Sequence, residues 1–333
     1  MTKKKVTIRE IAKASGVSIA TVSRYLNKVS YTSPETEKKI QKVLDEFNYT
    51  PNAIARGLAK QKSNTIAFIT PDITNPFFPE MIKSIEHVAK KKGYSLLLIN
   101  TKEEELNQKD FWNNLRSRYV DGFLLAQSEL TSEIQDYLSQ VNIPFVKIDR
   151  AVHAKENNTV SVNNFEGAKM AVNHLVDIGC KAIAHISGPK TVLTAKERLN
   201  GYLSAVEDLN LEPIIFEGDF SLESGKNITE AMLASNQNID GVFYANDLMA
   251  IGALKTFAKQ QVPIPQEIAI IGFDGIQLTE MVNPEISTIK QPVVEIGENA
   301  VTQLISLIEK PDETINRNVE LNVELIVRES SRR

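Results

Sequence analysis

Two groups of residues in this 333-residue sequence have the types and spacing for recognition chemistry. The first is a series of amide, charged and aromatic side chains, most of them just behind short apolar runs. Asn75, Phe77 and Phe78 follow Thr65–Thr70, and Gln127 follows Leu124-Leu125-Ala126. Asp149 and Arg150 follow Val146-Lys147-Ile148, and Asn246 follows Phe243-Tyr244-Ala245. Arg198 stands where Ala195-Lys196-Glu197-Arg198 opens a helix. Phe220 lies in Gly218-Asp219-Phe220-Ser221, Asp274 in Gly272-Phe273-Asp274-Gly275, and Gln291 just before Pro292. Charged and amide groups of this kind bind the hydroxyls of a neutral polyol, and aromatic faces cover its C–H surfaces. Each residue also has an ordinary use. Phe77 and Phe78 suit a core, Asp149, Arg150 and Arg198 suit a charged surface, and Asp274 suits an Asp-Gly turn. Asp247 reads as the cap of a helix beginning at Leu248. What carries the polyol reading is their joint placement.

The second group is Ile19, Ala20, Thr21, Ser23 and Arg24. Arginine can make a bidentate contact to guanine, and small apolar groups suit a thymine methyl. Catalytic patterns are absent from the sequence: it has no phosphate-binding glycine loop and no Ser-His-Asp arrangement. The four histidines (His87, His153, His174, His185) are scattered and Cys180 is the single cysteine, so no disulfide, metal site or cofactor is expected, and no enzyme.

These residues need elements to hold them. Thr7-Ile8-Arg9-Glu10 has the form of a capping box opening a helix with Ile11 and Ala12 on its apolar face. Gly16-Val17 turns the chain, and Ser18 can cap a second helix from Ile19 to about Asn27. Ser33-Pro34-Glu35 starts a third, with Ile40, Val43, Leu44 and Phe47 as its stripe. Two short helices about a glycine turn, supported by a third, predict a helix-turn-helix that sets the start of its second helix against base edges. Residues 1–62 carry 13 Lys/Arg against 5 Asp/Glu, a balance of +8, while the remainder balances to −12. A basic head on an acidic body predicts that the head meets a polyanion.

From residue 65 apolar runs alternate with amphipathic segments. Strands are predicted at Thr65–Thr70, Ser95–Asn100, Gly122–Ala126, Pro144–Ile148, Ala182–Ile186, Gly241–Ala245 and Ile268–Gly272. That order predicts parallel sheets of an α/β body. Val120-Asp121-Gly122-Phe123-Leu124-Leu125-Ala126 is echoed by Ile239-Asp240-Gly241-Val242-Phe243-Tyr244-Ala245, and the glycines at 93 and 179 also correspond, so two similar lobes are expected. Ligands of open α/β sheets bind beyond the strand carboxyl ends, where the polar series lies. With 42% hydrophobic and 24% charged residues the composition is globular. No run approaches the ~18 apolar residues of a membrane span and no secretory signal is visible, so a cytoplasmic protein with no membrane partner is expected. The end at Glu329–Arg333 carries no heptad tail, and a dimer is expected.

Val17–Asn27, Asn48-Tyr49-Thr50-Pro51-Asn52 and Ala55-Arg56-Gly57-Leu58 closely resemble the headpiece of the lactose/galactose repressor family, and the resemblance extends over essentially the whole chain. It implies a helix-turn-helix headpiece at 1–50, a hinge helix and linker at 51–64, and a two-lobed body at 65–333 like that of periplasmic binding proteins. Lobe 1 would span about 65–161 and 291–320, and lobe 2 about 162–290 and 321–330. It further implies a homodimer on double-stranded operator DNA, with contacts from Thr7, Ser18, Ile19, Ala20, Thr21, Ser23, Arg24, Asn27, Tyr49, Asn52 and Ala55, and with Leu58 as a minor-groove wedge. The body is similar to periplasmic ribose-binding proteins. That likeness implies an effector site at Asn75, Phe77, Phe78, Gln127, Asp149, Arg150, Arg198, Phe220, Asn246, Asp274 and Gln291, and D-ribose as the small-molecule effector that releases the operator. Fructose-responsive sucrose repressors share the Asp-Arg pair, and a global catabolite regulator of the family has a similar headpiece.

Overall fold

The structure, a computed structural model, describes residues 6–27, 31–49, 62–117, 120–126, 130–149, 158–235, 237–311 and 317–333. It divides into two compact units, residues 1–63 and 64–333. The expected contacts at Asn52, Ala55, Leu58, Gln127 and Arg150 lie outside the described residues.

In the first unit, α1 (Ile8–Ser15) opens on the predicted box. The Glu10 carboxylate accepts from Thr7 N at 2.8 Å, and the Thr7 hydroxyl accepts from Glu10 N at 3.4 Å. Together they satisfy two of the orphan amides of a helix start. Gly16 ends α1 in the left-handed conformation, φ +69°. α2 (Ile19–Asn27) starts with Thr21 N donating to Ser18 Oγ at 3.1 Å. α3 (Pro34–Glu46) starts on Ser33, with Pro34 at the first helical position. Ile11, Ala12, Val22, Ile40, Val43 and Leu44 form the core of this unit. Phe47, predicted on the α3 stripe, is instead 42% exposed. The helix stops one residue before it, and Tyr49, whose N–H returns to Leu44 O, packs against the core instead.

The second unit holds, among the described residues, two six-stranded sheets. The first contains β1 (Thr65–Thr70), β2 (Ser95–Asn100), β3 (Gly122–Leu125), β4 (Phe145–Ile148), β5 (Thr159–Val162) and β11 (Asn318–Leu321), in the order β11-β5-β4-β3-β1-β2. The second contains β6 (Ile183–Ser187), β7 (Ile214–Glu217), β8 (Gly241–Tyr244), β9 (Ala269–Asp274), β10 (Ser287–Lys290) and β12 (Glu324–Ile326), in the order β12-β10-β9-β8-β6-β7. The pairings are parallel except β10 with β12. Such sheets must be covered on both faces. In the first lobe this is done by α4 (Phe77–Lys91), α5 (Glu103–Leu106), α6 (Lys109–Ser117), α7 (Ser132–Gln140) and α12 (Val293–Glu309). In the second it is done by α8 (Asn164–Asp177), α9 (Leu193–Asp208), α10 (Leu222–Leu233) and α11 (Asp247–Gln260).

The sequence echo has a physical origin. Gly122 pairs with Ile66 across β1·β3 as Gly241 pairs with Ile183 across β6·β8. The aspartate before each glycine reaches the loop entering the neighbouring strand. Asp121 accepts from Asn64 N at 2.7 Å, and Asp240 accepts from Lys181 N and Ala182 N at 2.9 Å. The chain passes between the lobes three times, from β5 to α8, from β10 to α12 and from β11 to β12.

Candidate functional site

A cavity of about 280 Å³ opens at the carboxyl ends of the strands, between the two sheets of the body. From the first lobe come Asn75, Phe77 and Phe78 behind β1, and Asp149 behind β4. From the second come Arg198 in α9, Phe220 behind β7, Asn246 behind β8 and Asp274 at the end of β9. Phe77 and Phe78 serve two purposes at once. Each is 3% exposed and belongs to the first-lobe core, yet both line the cavity, with ring centroids 5.3 Å apart at 71°. Asn75 holds this corner by accepting from Phe77 N at 3.1 Å.

The buried charges of the site are Asp149, Arg198 and Asp274, of which the last two pair with each other. Arg198 sits in the second turn of a helix that begins at Leu193, earlier than the sequence suggested, and is 3% exposed. Its Nη1 lies 3.5 Å from Asp274 Oδ1 and donates to Ala245 O at 2.6 Å, and its guanidinium stacks 3.7 Å over the Phe273 ring. Burial of a guanidinium requires this degree of pairing. Three cavity residues carry backbone in the region that disfavours side chains: Asp149 at φ +66°, Phe220 at +70° and Asp274 at +119°. Such strain persists where surrounding bonds over-determine it, and it concentrates at binding sites. Here the bonds are Asp149 N to Val160 O, Asn246 Nδ2 to Phe220 O, and Gln291 N to Asp274 O.

Two sequence readings are corrected. Gln291, expected to touch the ligand, is not a lining residue; it lies 1% exposed behind Asp274, donating Nε2 to Asp274 Oδ1 at 2.8 Å. Asp247 does not cap a helix at Leu248. The helix starts at Asp247 itself, and Asn246 is the cap, accepting from Met249 N. Both residue types favour the cap position, so the sequence could not choose between them. Asp247 is fully buried and accepts from Gly275 N at 2.7 Å, Ile276 N at 2.9 Å and Thr288 Oγ1 at 2.6 Å. Burial, reinforced by the neighbouring Asp274, holds its carboxyl well above the usual range. The cavity also contains residues the sequence reading passed over, among them Asp72, Thr194, Asp219 and Ser221. Asp72 and Asp219 each stand two residues behind a strand, so the rule that found the others applied to them equally.

In the headpiece, Val22 anchors α2 in the core while Ser18, Ile19, Ala20 and Arg24 face solvent. Ile19 is 46% exposed. Arg24 Nε donates to Ala20 O at 3.3 Å, and Thr21 Oγ1 is 2.8 Å from Ser18 Oγ. Ser23 and Asn27 are half-buried and bonded to each other, Asn27 Nδ2 reaching Ser23 O at 2.8 Å. Thr7 is exposed within its capping box and Tyr49 is half-buried. Among the described residues no group of three or more His, Cys, Asp or Glu could hold a metal ion, and no helix is long and apolar enough to cross a membrane.

A helix-turn-helix unit together with a two-lobed body enclosing a polar cavity defines a ligand-responsive, DNA-binding regulator. Residues 7–52 match the model for bacterial regulatory proteins of the lacI family, and residues 172–331 match that for a periplasmic binding protein-like domain. The chain is 39% identical to the ribose operon repressor of Halalkalibacterium halodurans over 327 residues, which cover 98% of this chain and 97% of that protein. A crystal structure of the lac repressor dimer bound to operator and the anti-inducer ONPF superposes with a TM-score of 0.90 at 27% identity, covering 98% of this chain and 99% of that one. The lacI-family regulator of Enterococcus faecium with bound ribose gives 0.73 at 29% identity over 80% of this chain and 98% of that one. The chain belongs to the lacI family of bacterial regulatory proteins. It is a transcriptional repressor, not an enzyme.

Proposed function

We propose that the protein represses a ribose utilisation operon and leaves its operator when D-ribose fills the cavity. The observation that carries this reading is the buried Arg198–Asp274 pair set among the rings of Phe77, Phe78 and Phe220. Charged groups that are already paired and oriented bind hydroxyls strongly, and the rings cover the C–H faces of the sugar. The cavity volume of about 280 Å³ is at the small end for ligand sites and suits a monosaccharide. Among the described lining residues, Asp72, Asp149, Asp219 and Asp274 stand against Arg198. That excess of carboxylates favours a neutral sugar over a sugar phosphate. The ribose-bound relative and the ribose operon repressor point to the same sugar.

The protein acts in the cytoplasm as a homodimer that presents two headpieces to a pseudo-palindromic operator. Lysine and arginine contacts to phosphate supply salt-dependent affinity, while Ile19, Ala20 and Arg24 read bases. Thr7, Ser18, Thr21, Ser23, Asn27, Tyr49, Asn52 and Ala55 complete the contacts and Leu58 wedges the minor groove. Sugar draws the two lobes together by bridging first-lobe residues such as Asp149 to second-lobe residues such as Arg198. Calorimetry against ribose, fructose and ribose 5-phosphate, paired with operator titrations, tests this. Ribose should bind, the phosphate should not, and ribose should weaken operator binding. Strengthened operator binding would reject the inducer role, and preference for fructose would reassign the sugar.

A further inference from the structure

The side chain of Asn164 serves neither as a helix cap nor as part of the cavity wall, yet it is 1% exposed and fully engaged. It stands at the first passage between the lobes, two residues after β5 ends at Val162 and at the first position of α8. Its Oδ1 accepts from Arg198 Nε at 2.9 Å. Its Nδ2 donates to Glu197 Oε2 at 2.9 Å and to Val162 O at 3.3 Å. The orientation of this amide is dictated by its partners. A guanidinium can only donate, and a carboxylate and a carbonyl here accept, so the oxygen must face Arg198 and the nitrogen the other two. The capping of α8 is left to Asn163, which accepts from Glu166 N at 2.9 Å and whose own N–H reaches Leu321 O, at the third passage between lobes.

We propose that Asn164 is a positioning residue that fixes the plane of the Arg198 guanidinium and ties it to the connection between the lobes. The proposal rests on the reading of the cavity as a sugar site. Besides its pairing with Asp274, Arg198 is held at three places. Nη1 is bonded to Ala245 O, the face lies on Phe273, and Nε is bonded to Asn164. The first two belong to the second lobe. Asn164 alone among these three also bonds the last residue of a first-lobe strand. A turn of one lobe against the other at residues 162–164 therefore acts on the same amide that sets the arginine.

The test is a charge-pattern exchange in the full-length protein, read by ribose calorimetry and by the ¹⁵Nε resonance of Arg198, which is assigned by its loss in Arg198→Lys. Asn164→Ala removes both the acceptor and the donor, and should weaken ribose binding about 10- to 100-fold, the range for a lost hydrogen bond to a charged group. It should also shift the Arg198 resonance in the sugar-free protein. Asn164→Asp keeps the acceptor for Arg198 but turns a carboxylate toward Glu197, and should lose affinity similarly. Combining it with Glu197→Gln restores a donor–acceptor pair and should recover affinity to within a few-fold, with the resonance returned. In an Arg198→Lys background, where no Nε–H exists, Asn164→Ala should cost little more. Unchanged affinity in folded Asn164→Ala, or an equal loss with and without the Arg198 guanidinium, would overturn the proposal. If the unmodified protein binds none of the sugars, the functional reading fails by itself. The Arg198 resonance then decides the positioning role: movement in Asn164→Ala with return in the exchanged pair supports it, and an unmoved signal rejects it.

Discussion

Phe220 shows how much of the cavity depends on single residues. A phenylalanine at φ +70° is strained by about 1–3 kcal/mol, and its ring lies where any side chain at Gly188 would be. A Cβ there would come 2.3 Å from the ring. Gly188→Ala should therefore expel Phe220 from the cavity wall and weaken ribose about tenfold, the worth of a lost aromatic face, while costing about 1–3 kcal/mol in denaturant unfolding. Ribose affinity unchanged in the variant would show that the ring is not part of the site. His185 makes a second prediction. It is fully buried, stacked between Tyr202 and Phe243, and its Nδ1 lies 2.9 Å from Phe243 O. Burial pulls its imidazole down to about 4. A group neutral in the fold but protonated below about pH 6.5 when unfolded contributes stability above that pH and loses it as pH falls toward 4. The loss is on the order of 3 kcal/mol, most of it reached by pH 4.5. Comparing denaturation of His185→Phe and the parent at pH 7 and 4.5 should show the variant losing less by about that amount. At this scale the sequence exposed the residues behind strands, because strand ends are where open α/β sheets place ligands. It could not show that Gln291 and Asp247 point at Asp274 and its turn, because those partners lie 17 and 28 residues away and are chosen by the sheet register.

Elements were legible where one signal dominated. β1 and β2 are found at the residues the apolar runs predict, and the headpiece helices start on the predicted Thr7, Ser18 and Ser33, because a cap is a local hydrogen bond. β5, β7, β10, β11 and β12 were not signalled. They are three or four residues long, and in two of them buried polar residues break the apolar run, Thr159 and Ser161 in β5 and Ser287 and Thr288 in β10. Their place is set by pairing with strands already formed, a tertiary effect outside local propensity. The cap prediction can be tested directly. Thr7→Ala removes an acceptor from the capping box of a unit whose core has six buried apolar residues. It should cost about 1 kcal/mol, so that α1 amides exchange with solvent about fivefold faster in the full-length protein while those of β1 do not change. Equal acceleration in both would place the effect outside the headpiece.

The molecule as a whole separates its two tasks by charge. Residues 1–62 balance to +8 and the remainder to −12, so attraction to a polyanion is confined to the head and the acidic body is repelled by the duplex. Operator affinity should accordingly fall steeply and linearly on logarithmic axes as salt rises, whereas binding of a neutral sugar should be nearly indifferent to salt. Linkage joins the two tasks. If saturating ribose weakens the operator complex by some factor, saturating operator must weaken ribose by the same factor, typically about 5- to 150-fold. Asp274 separates the two ends of that linkage, since it lies in the cavity and in a unit distinct from the headpiece. Asp274→Ala deprives Arg198 of its carboxylate and the sugar of a hydroxyl partner, so ribose should no longer displace the operator at concentrations that saturate the parent protein. Sugar-free operator affinity should stay within about twofold, because a ligand contact absent from both sugar-free states cannot bias them. A variant that binds operator much more weakly without sugar would mean that the Arg198–Asp274 pair maintains the DNA-competent form itself. The cavity would then be a structural latch and not only a receptor.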